Sequence, residues 1–377
     1  MSGAVLRRLE TYVFRYPIAT PVQTSFGIMH DRPAVFVRLE DEDGCHGWGE
    51  VWCNFPSVGA EHRARLVRDV LGEMVVGYAL NDPASLFNHL TQATAVMALQ
   101  AGERGPLAQS IAAVDLAAWD IMAKRAGSPL WRYLGGASPH IAVYASGINP
   151  QEPARLARAK FAEGHRAFKI KIGFGAARDI RNLQEVRSAL GAAHLAADVN
   201  QAWSFGDALA MIPSLTAFDL AWLEEPLRCD RPWHEWRQLA QAGAPPLAAG
   251  ENLDTAAQFG AALREGDLAV IQPDATKWGG FSGCLPVAQA IREAGKKVCP
   301  HFLGGGIGLV ASAHLLAAAG GDGMLEVDAN ENPLRDLIAG PQLTVTQGRV
   351  CLSDQPGLGI EPDLASIAQY RVRHIRL

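Results

Sequence analysis

Seven residues with acidic, basic or imidazole side chains recur along this chain at nearly constant spacing. They are Lys171, Asp198, Glu224, Glu251, Asp274, His301 and Glu326, and successive members lie 27, 26, 27, 23, 27 and 25 residues apart. Each lies at or near the end of a short apolar run, where a strand would pass into a loop. The spacing therefore predicts a ring of parallel strands whose polar residues converge on one site.

Eight short apolar runs alternate with helix-like segments from about residue 141 onward. The runs read IAVYAS, AFKIKIG, LAADVN, LAWLEEP, LAAGEN, LAVIQPD, KVCPHF and GMLEVDA. Parallel strands need crossover connections, usually helices, so this alternation predicts an α/β fold. Residues 141–340 are close to the lower limit of about 200 residues for a (β/α)8 TIM barrel. The alternative, an open doubly wound sheet, would collect polar residues at one switch point instead of at nearly every strand end.

The segments that flank the barrel region have a different pattern. The β-rich segment 5–52 contains a Pro/Gly-punctuated stretch, 17–33, that we expect to be a loop, and a hairpin around the turn DEDG. Residues 59–126 show the apolar spacing of helices. We therefore expect three parts: an N-terminal α+β capping domain (1–135), a barrel domain (136–340) and a C-terminal segment that returns to the capping domain (341–377).

The composition narrows the classes of partner. The chain of 377 residues has a formal net charge of −5 and no dense Lys/Arg run, which argues against nucleic acid and anionic membranes as partners. The sequence lacks both an apolar stretch long enough to span a membrane and the apolar core of a signal peptide. The six cysteines are scattered, without a CxxC pair, as expected for reduced thiols. These features predict a cytoplasmic protein.

Lys169 and Lys171 alternate with apolar residues in AFKIKIG. Positions i and i+2 of a strand share a face, so both amines point one way and the apolar side chains point the other. A solvated edge strand is the simpler interpretation of such a pair. Inside a barrel the lysines would face the interior, where two neighbouring ammonium groups lower each other's pKa. That arrangement predicts that one lysine serves as a base.

Three carboxylates, Asp198, Glu224 and Glu251, end consecutive predicted strands. Any one of them alone is more often a helix cap or a surface acid. Together they would repel one another unless a cation lay between them, and oxygen ligands without Cys or His suit Mg²⁺. Strand parity does not choose between Glu224 and Glu225. Asn200 shares a face with Asp198 and is a candidate to hydrogen-bond a substrate hydroxyl.

The last members of the series indicate acid–base chemistry. If Asp274 and His301 are adjacent, the carboxylate orients and charges the imidazole, although most isolated histidines bond to a core carbonyl. Glu326 is a candidate to present a protonated carboxyl to a developing oxyanion, or else to cap a helix. The run LGGGIG at 303–308 offers backbone N–H groups to an anion, but it does not match the dinucleotide-binding GxGxxG.

These motifs resemble those of the enolase superfamily, specifically the mandelate racemase subgroup. The resemblance covers nearly the whole chain and includes AAVDLAAWDIMAKRAGSPLWRYLGG, KxK, DxN, EEP, GEN, QPDxTKxGG, PH and the late glutamate. The Asp274/His301 pair differs from muconate lactonising enzymes and dipeptide epimerases, which have a lysine where Asp274 stands. The resemblance implies an enolase-like modified TIM barrel with a capping domain.

The resemblance also implies roles for individual residues. Mg²⁺ would be held by Asp198, Glu224 and Glu251. Catalysis would use Lys171 as one base, Lys169 on the substrate carboxylate, His301 as the opposite base or acid, Asp274 as its partner and Glu326 on the enediolate. Contacts with the substrate are expected from Lys169, Asn200, Lys277, Phe26 and Trp52.

The implied reaction begins with removal of the proton α to a carboxylate, for which the superfamily uses a Lys or His base together with Mg²⁺. We expect the resulting enediolate to lose a β-hydroxyl, so that a sugar acid is dehydrated to a 2-keto-3-deoxy acid. The alternative is a racemase, epimerase or cycloisomerase acting on an α-hydroxy acid or sugar-acid lactone. LGGGIG differs from the corresponding stretch of mandelate racemase, which argues against mandelate as the substrate.

Specificity is expected in two cap segments, residues 17–33 and Trp52–Phe55. The first segment has Phe26, Met29 and His30 but few charges, which favours a less polar substrate than an aldarate. The partners expected are a small-molecule carboxylate and further copies of the chain. Other classes fit less well. A class I aldolase would use Lys171 but leave the three acids unexplained, and an amidohydrolase-type enzyme needs an HxH that is absent here. A non-catalytic binding protein would not need paired bases.

Overall fold

The computed structural model of the chain describes residues 4–377, whose strands form two sheets. The strands, numbered in chain order, are β1 (Ala4–Gln23), β2 (Ile28–Asp41), β3 (His46–Val51), β4 (Ala79–Leu80), β5 (His140–Ile148), β6 (Ala167–Lys171), β7 (His194–Asp198), β8 (Leu223–Glu224), β9 (Leu247–Ala249), β10 (Leu268–Ile271), β11 (Lys297–Val298), β12 (Met324–Asp328), β13 (Arg349–Cys351) and β14 (Arg371–Arg376). The first sheet is antiparallel, in the order β14-β1-β2-β3 with β4 beside β1.

Strands β5 to β12 form a nearly closed parallel barrel. Consecutive strands pair from β5 to β11, and β12 returns to pair with β5. At the remaining seam, between β11 and β12, the Glu326 carboxylate accepts a hydrogen bond from the Phe302 N–H at 2.9 Å. All eight strands predicted from the apolar runs are present. The expected α/β fold, a (β/α)8-type barrel with an N-terminal α+β domain, is confirmed.

Helices fill the connections between these strands. They are α1 (Gly59–Leu66), α2 (Gly72–Val75), α3 (Pro83–Ala101), α4 (Arg104–Arg125), α5 (Leu130–Tyr133), α6 (Pro153–Ala162), α7 (Ala176–Leu190), α8 (Phe205–Leu215), α9 (Trp233–Gln241), α10 (Ala256–Glu265), α11 (Gly280–Glu293), α12 (Gly306–Ala319) and α13 (Pro333–Ala339). A π-helical turn, Val67–Leu71, joins α1 to α2. Each of α6 to α12 connects two consecutive barrel strands, as parallel pairing requires.

The stretch 17–33, which we expected to be a loop, is mostly paired strand. β1 and β2 continue through it, and only residues 24–27 form the turn of the hairpin. The pairing of β1 with β2 shifts register between Pro17 and Val22. Proline has no N–H to donate, so within a sheet it occurs at an irregularity or at an edge. Beyond the shift, Val22 and Met29 pair and pack, buried, against Leu303 of the barrel rim.

The hairpin lies across the mouth of the barrel. Near its tip, the Ser25 hydroxyl donates to the Asn200 carbonyl oxygen at 2.9 Å, on the loop after β7. On the other side, the Gln23 N–H donates to Asn149 Oδ1 at 3.2 Å, on the loop after β5. The second cap segment is tied down in the same way, since Trp52 N–H donates to the Thr276 carbonyl at 3.2 Å. Both cap segments are therefore fixed to the rim at the carboxyl ends of the barrel strands.

Two buried carboxylates of the capping domain bind the N-termini of barrel helices. Asp115 on α4 accepts the Phe281 N–H at 2.7 Å and the Ser282 N–H at 3.0 Å, at the start of α11. Glu50 on β3 accepts the N–H groups of Gly305 and, at 2.7 Å, Gly308, at the start of α12. The anion that the LGGGIG run binds is thus a side chain of the same protein. Helix N-termini favour negative charge, yet burial raises the pKa of both carboxyls to about 7.

The C-terminal segment contributes to both sheets. β13 pairs antiparallel with barrel strand β5, whereas β14 pairs with β1 of the first sheet. The boundaries 1–135, 136–340 and 341–377 stay predictions. Among the helices of residues 4–377, none combines the length and the apolarity needed to cross a membrane.

Asp115 provides a test of the contact between the two domains. Replacing Asp115 with Ala leaves two buried N–H donors and a hydroxyl without acceptors, so we expect a loss of about 2–4 kcal/mol in the free energy of unfolding. Asp115→Asn retains an acceptor and should lose about 1 kcal/mol. Chemical denaturation followed by circular dichroism measures both. Equal stability of Asp115→Ala and the wild type would contradict this account.

The same residue predicts a pH dependence. Its folded-state pKa of about 7 lies above the ordinary value of about 4, so its protonation stabilises the fold. That contribution is complete below pH about 4 and is lost as the pH rises through 7. The wild type should therefore lose stability relative to Asp115→Asn between pH 5 and pH 8. A difference in unfolding free energy that does not change over this range would contradict the prediction.

Candidate active site

The barrel brings the seven recurrent residues to one end. Register pairs Lys171 with Asp198, and Asp198 with Glu224, on neighbouring strands. Glu251, Asp274 and His301 follow the ends of β9, β10 and β11, and Glu326 lies within β12. All seven side chains are at least nine-tenths buried. The ladder seen in the sequence is thus a ring of side chains around the barrel mouth.

Lys169 and Lys171 each bind carboxylates inside the barrel. Lys169 Nζ contacts a Glu224 oxygen and lies 2.8 Å from Glu326 Oε1. Lys171 Nζ lies 2.5 Å from Asp198 Oδ2. Their strand neighbours Phe168 and Ile170 belong to the apolar core on the other face. The lysines therefore face inward, and β6 is not a solvated edge strand.

Neighbouring carboxylates reverse the expected direction of the lysine pKa shifts. Burial lowers the pKa of Lys171, and so does the neighbouring Lys169, but the Asp198 and Glu251 carboxylates outweigh them and raise it. Burial also lowers the pKa of Lys169, yet Glu224 and Glu326 raise it well above its ordinary value. Carboxylates that are distant in sequence thus set the direction. A cation bound to those carboxylates would reduce their effect on the lysines.

Asp274 and His301 form a hydrogen-bonded dyad. His301 Nδ1 lies 2.7 Å from Asp274 Oδ2, and Asp274 is itself fixed by the Thr276 N–H at 2.8 Å. The other ring nitrogen, Nε2, lies 2.8 Å from Glu251 Oε2. Burial lowers the pKa of His301, but Glu251, Glu326 and Asp274 together raise it well above its usual range. The dyad can therefore hold a proton on Nε2, facing the carboxylate cluster.

The donor set of this cluster fits a divalent cation. Among residues 4–377, no three Asp, Glu, His or Cys side chains converge closely enough to bind a metal ion. The reason is that Asp198 points toward Lys171, Glu224 toward Lys169 and Glu251 toward His301. The connected network nevertheless holds six carboxylates, Asp198, Glu224, Glu225, Glu251, Asp274 and Glu326, and four cationic groups, Lys169, Lys171, Lys277 and His301. Burial and the neighbouring carboxylates raise the pKa of Glu224 to about 7 and that of Glu225 well above its ordinary value, so the crowded carboxyls bind protons that a divalent cation would displace. Oxygen donors crowded in this way match Mg²⁺.

The other predicted substrate contacts lie at the rim. The Asn200 N–H and side-chain amide donate to Asp198 at 2.8 and 3.2 Å, which leaves Asn200 Oδ1 buried without a partner among residues 4–377. Lys277 Nζ donates to Asn252 Oδ1 at 2.8 Å and stands 4.7 Å from the centre of the Trp52 ring. Phe26 lies apart from the cluster. Its ring is 60% exposed and packs edge-on against Phe55.

Sequence reasoning missed two polar residues of the network, Asn252 and Gln272. Asn252 donates to both Glu225 and Glu251, and Gln272 donates to Glu224 Oε2 at 2.6 Å. Gln272 lies two residues before Asp274, so strand parity could have identified it. Strand alternation does not give the direction of the Glu225 side chain. Its backbone is left-handed (φ 39°), which turns its carboxyl toward Asn252 beside Glu251. Burial and the Glu251 charge raise the pKa of Glu225 well above its ordinary value.

A (β/α)8 barrel that carries a carboxylate cluster between a buried lysine pair and a His–Asp dyad defines a class of metal-assisted acid–base enzyme. The family comparison makes the class specific. Residues 8–135 match the mandelate racemase/muconate lactonizing enzyme N-terminal domain, and residues 152–366 match the enolase C-terminal domain-like family. The chain therefore belongs to the mandelate racemase/muconate lactonizing enzyme family of the enolase superfamily, and the resemblance seen in the motifs is confirmed.

Solved and characterised relatives span several activities. A crystal structure of a mandelate racemase/muconate lactonizing enzyme from Bordetella bronchiseptica RB50 is 54% identical, with a TM-score of 0.92 over 98% of this chain and 100% of that one. The 3,6-anhydro-alpha-L-galactonate cycloisomerase of Streptomyces coelicolor is 30% identical over 98% of this chain and 100% of its own length. L-talarate/galactarate dehydratase from Salmonella typhimurium LT2, liganded with Mg and L-lyxarohydroxamate, is 26% identical, with a TM-score of 0.88 over 100% of this chain and 95% of that one.

The donor set predicts which substitutions remove metal binding. Wild-type protein should bind Mg²⁺ in calorimetry, and Glu224→Gln or Asp198→Asn should weaken binding at least about tenfold, because each removes one anionic ligand. Asp322→Asn is a matched control, since Asp322 pairs with Lys297 at the surface. Unchanged Mg²⁺ affinity in both cluster variants would contradict the assignment.

Proposed function

We propose that this protein is a Mg²⁺-dependent enzyme that removes the proton α to the carboxylate of a sugar acid and then expels the β-oxygen. The product of the main reaction is a 2-keto-3-deoxy acid formed by dehydration. The observation that carries the proposal is the placement of two acid–base groups, Lys171 and the His301–Asp274 dyad, on either side of one buried carboxylate cluster. Proton removal on one side and proton delivery on the other require this arrangement.

Each residue has its own role in this mechanism. Asp198, Glu224 and Glu251 would hold the metal, which when bound supplies positive charge that acidifies the α-proton. Lys171 accepts the α-proton, and Lys169 and Glu326 lie side by side where the carboxylate of the substrate becomes an enediolate. His301 gives its Nε2 proton to the departing β-oxygen, while Asp274 stabilises the imidazolium and fixes its orientation.

Cycloisomerisation is the second candidate, because a full-length relative at 30% identity is a cycloisomerase. The two reactions share their chemistry. If the β-oxygen belongs to a ring, its departure opens the ring and the leaving group stays attached, so the product is an isomer instead of a dehydrated acid. Racemisation or epimerisation would use the same two groups, with the second one returning a proton to the α-carbon.

Two further predictions belong to this proposal. We propose a cytoplasmic location. All six cysteines are free thiols, which supports this location. We also propose a homo-oligomer. Size-exclusion chromatography with light scattering measures its mass directly.

The mass of the product distinguishes dehydration from cycloisomerisation. The Mg²⁺-loaded protein is incubated with a panel of aldonates, aldarates and their ring forms in D₂O, and products are followed by NMR and mass spectrometry. Loss of water with formation of a 2-keto acid supports dehydration, whereas ring opening without a mass change other than deuteration supports cycloisomerisation. Lys171→Ala and His301→Asn should each reduce product formation by at least about 10²-fold. Full activity in either variant would contradict the assigned step.

A further inference from the structure

We infer that the substrate carries a single carboxylate and an uncharged distal end, as in an aldonate or its anhydro form, and is not a dicarboxylate. This inference rests on the proposed function and narrows it. Its basis is the set of groups that face the barrel mouth from the capping domain. One end of a sugar acid must lie against the metal-ligand cluster, so the other end meets the two cap segments.

The cap segments offer no exposed lysine or arginine to a second carboxylate. Across residues 17–33 and 52–58 the single such residue is Arg32, which is 1% exposed, and the exposed His30 follows the buried Met29 and so lies on the opposite face of its strand. What they place at the rim is apolar or neutral: Met29 packs on Leu303, Phe26 packs on Phe55, and Asn54 donates to the Leu303 carbonyl. A distal carboxylate would therefore be desolvated without a counter-ion.

The cations that lie nearby are already engaged. Arg63 stands 5.5 Å from the centre of the Trp52 ring, but its three nitrogens donate to Gln109, Gly59 and Phe55. Lys277 donates to Asn252 and lies 4.0 Å from Glu251, so it belongs to the cluster that already has more carboxylates than cations. Arg32 pairs through Nη2 with Asp328 at 2.5 Å; its Nη1 has no partner among residues 4–377, but the side chain is buried. None of the three is an unpaired cation exposed at the rim.

The unpaired polar atoms at the rim match a hydroxyl. Asn200 Oδ1 is a buried acceptor and Trp52 Nε1 is a buried donor, and both lack partners among residues 4–377. The Asn200 amide is oriented by its donation to Asp198, so its free atom is the oxygen. A hydroxyl both donates and accepts, whereas a carboxylate only accepts and would repel Asn200 Oδ1. Neutral hydroxyls thus satisfy both atoms, whereas a second carboxylate would satisfy Trp52 Nε1 and leave Asn200 Oδ1 unpaired.

The test compares matched pairs of six-carbon aldonates and aldarates of the same configuration, with the Mg²⁺-loaded full-length protein. We expect kcat/KM for α-proton exchange to be at least about tenfold higher for the aldonate, or its ring form, of the reactive configuration. An aldarate turned over as well as its aldonate would overturn the inference and leave the proposed function standing. Absence of exchange with every acid would instead overturn the proposed function.

A gain-of-function variant tests the same inference from the other side. Phe26→Arg places a cation at the hairpin tip and should raise kcat/KM for the aldarate relative to the aldonate at least about tenfold. Val96→Arg is the matched control, because Val96 is 71% exposed on α3 of the capping domain, outside both cap segments. A similar change in both variants, or no change in Phe26→Arg, would count against the cap as the source of charge selectivity.

Discussion

The structure depends on the crowding of buried carboxyl groups at the carboxyl ends of the barrel strands. Parallel strands in register force Lys171, Asp198 and Glu224 next to one another, so neither repulsion nor attraction can be relieved by moving apart. The lysines and His301 pair with some of these acids, and the raised pKa values of Glu224 and Glu225 relieve part of the remaining repulsion. A divalent cation would displace those protons. The same crowding holds each acid–base group against the place where a substrate carboxylate would be bound.

The capping domain has to be fixed on this barrel with some accuracy, because it closes the mouth. Buried carboxylates achieve this, with Glu50 and Asp115 accepting N–H groups at the starts of α12 and α11. The buried Arg32–Asp328 pair joins β2 to β12, two residues beyond Glu326. This contact between the domains therefore also connects the hairpin over the barrel mouth with β12, the strand that contains the catalytic candidate Glu326. Under the proposed function the chemistry lies in the barrel, and we expect the cap to select the distal groups of the substrate.

The sequence predicted those features that repeat and those that follow strand parity. Eight apolar runs became eight barrel strands, and the recurrent polar residues met at one end. The hairpin at 17–33 was not predicted, because its prolines and glycine are typical of loops and only packing on Leu303 reveals the strands. Glu50 and Asp115 could not be found either, since their partners Gly305 and Phe281 lie 255 and 166 residues away. The lysine pKa values were predicted in the wrong direction, because the sequence shows their neighbour in AFKIKIG but not the carboxylates across the barrel.

Under the proposed mechanism, one metal-binding cluster lies between two acid–base groups that reach the same substrate carbon. A crystal structure of the protein with Mg²⁺ and an unreactive hydroxamate analogue of a sugar acid would show whether this is so. We expect one Mg²⁺ bound by Asp198, Glu224 and Glu251, with the analogue's α-carbon between Lys171 Nζ and His301 Nε2. A metal bound elsewhere, or an α-carbon within reach of neither nitrogen, would contradict it.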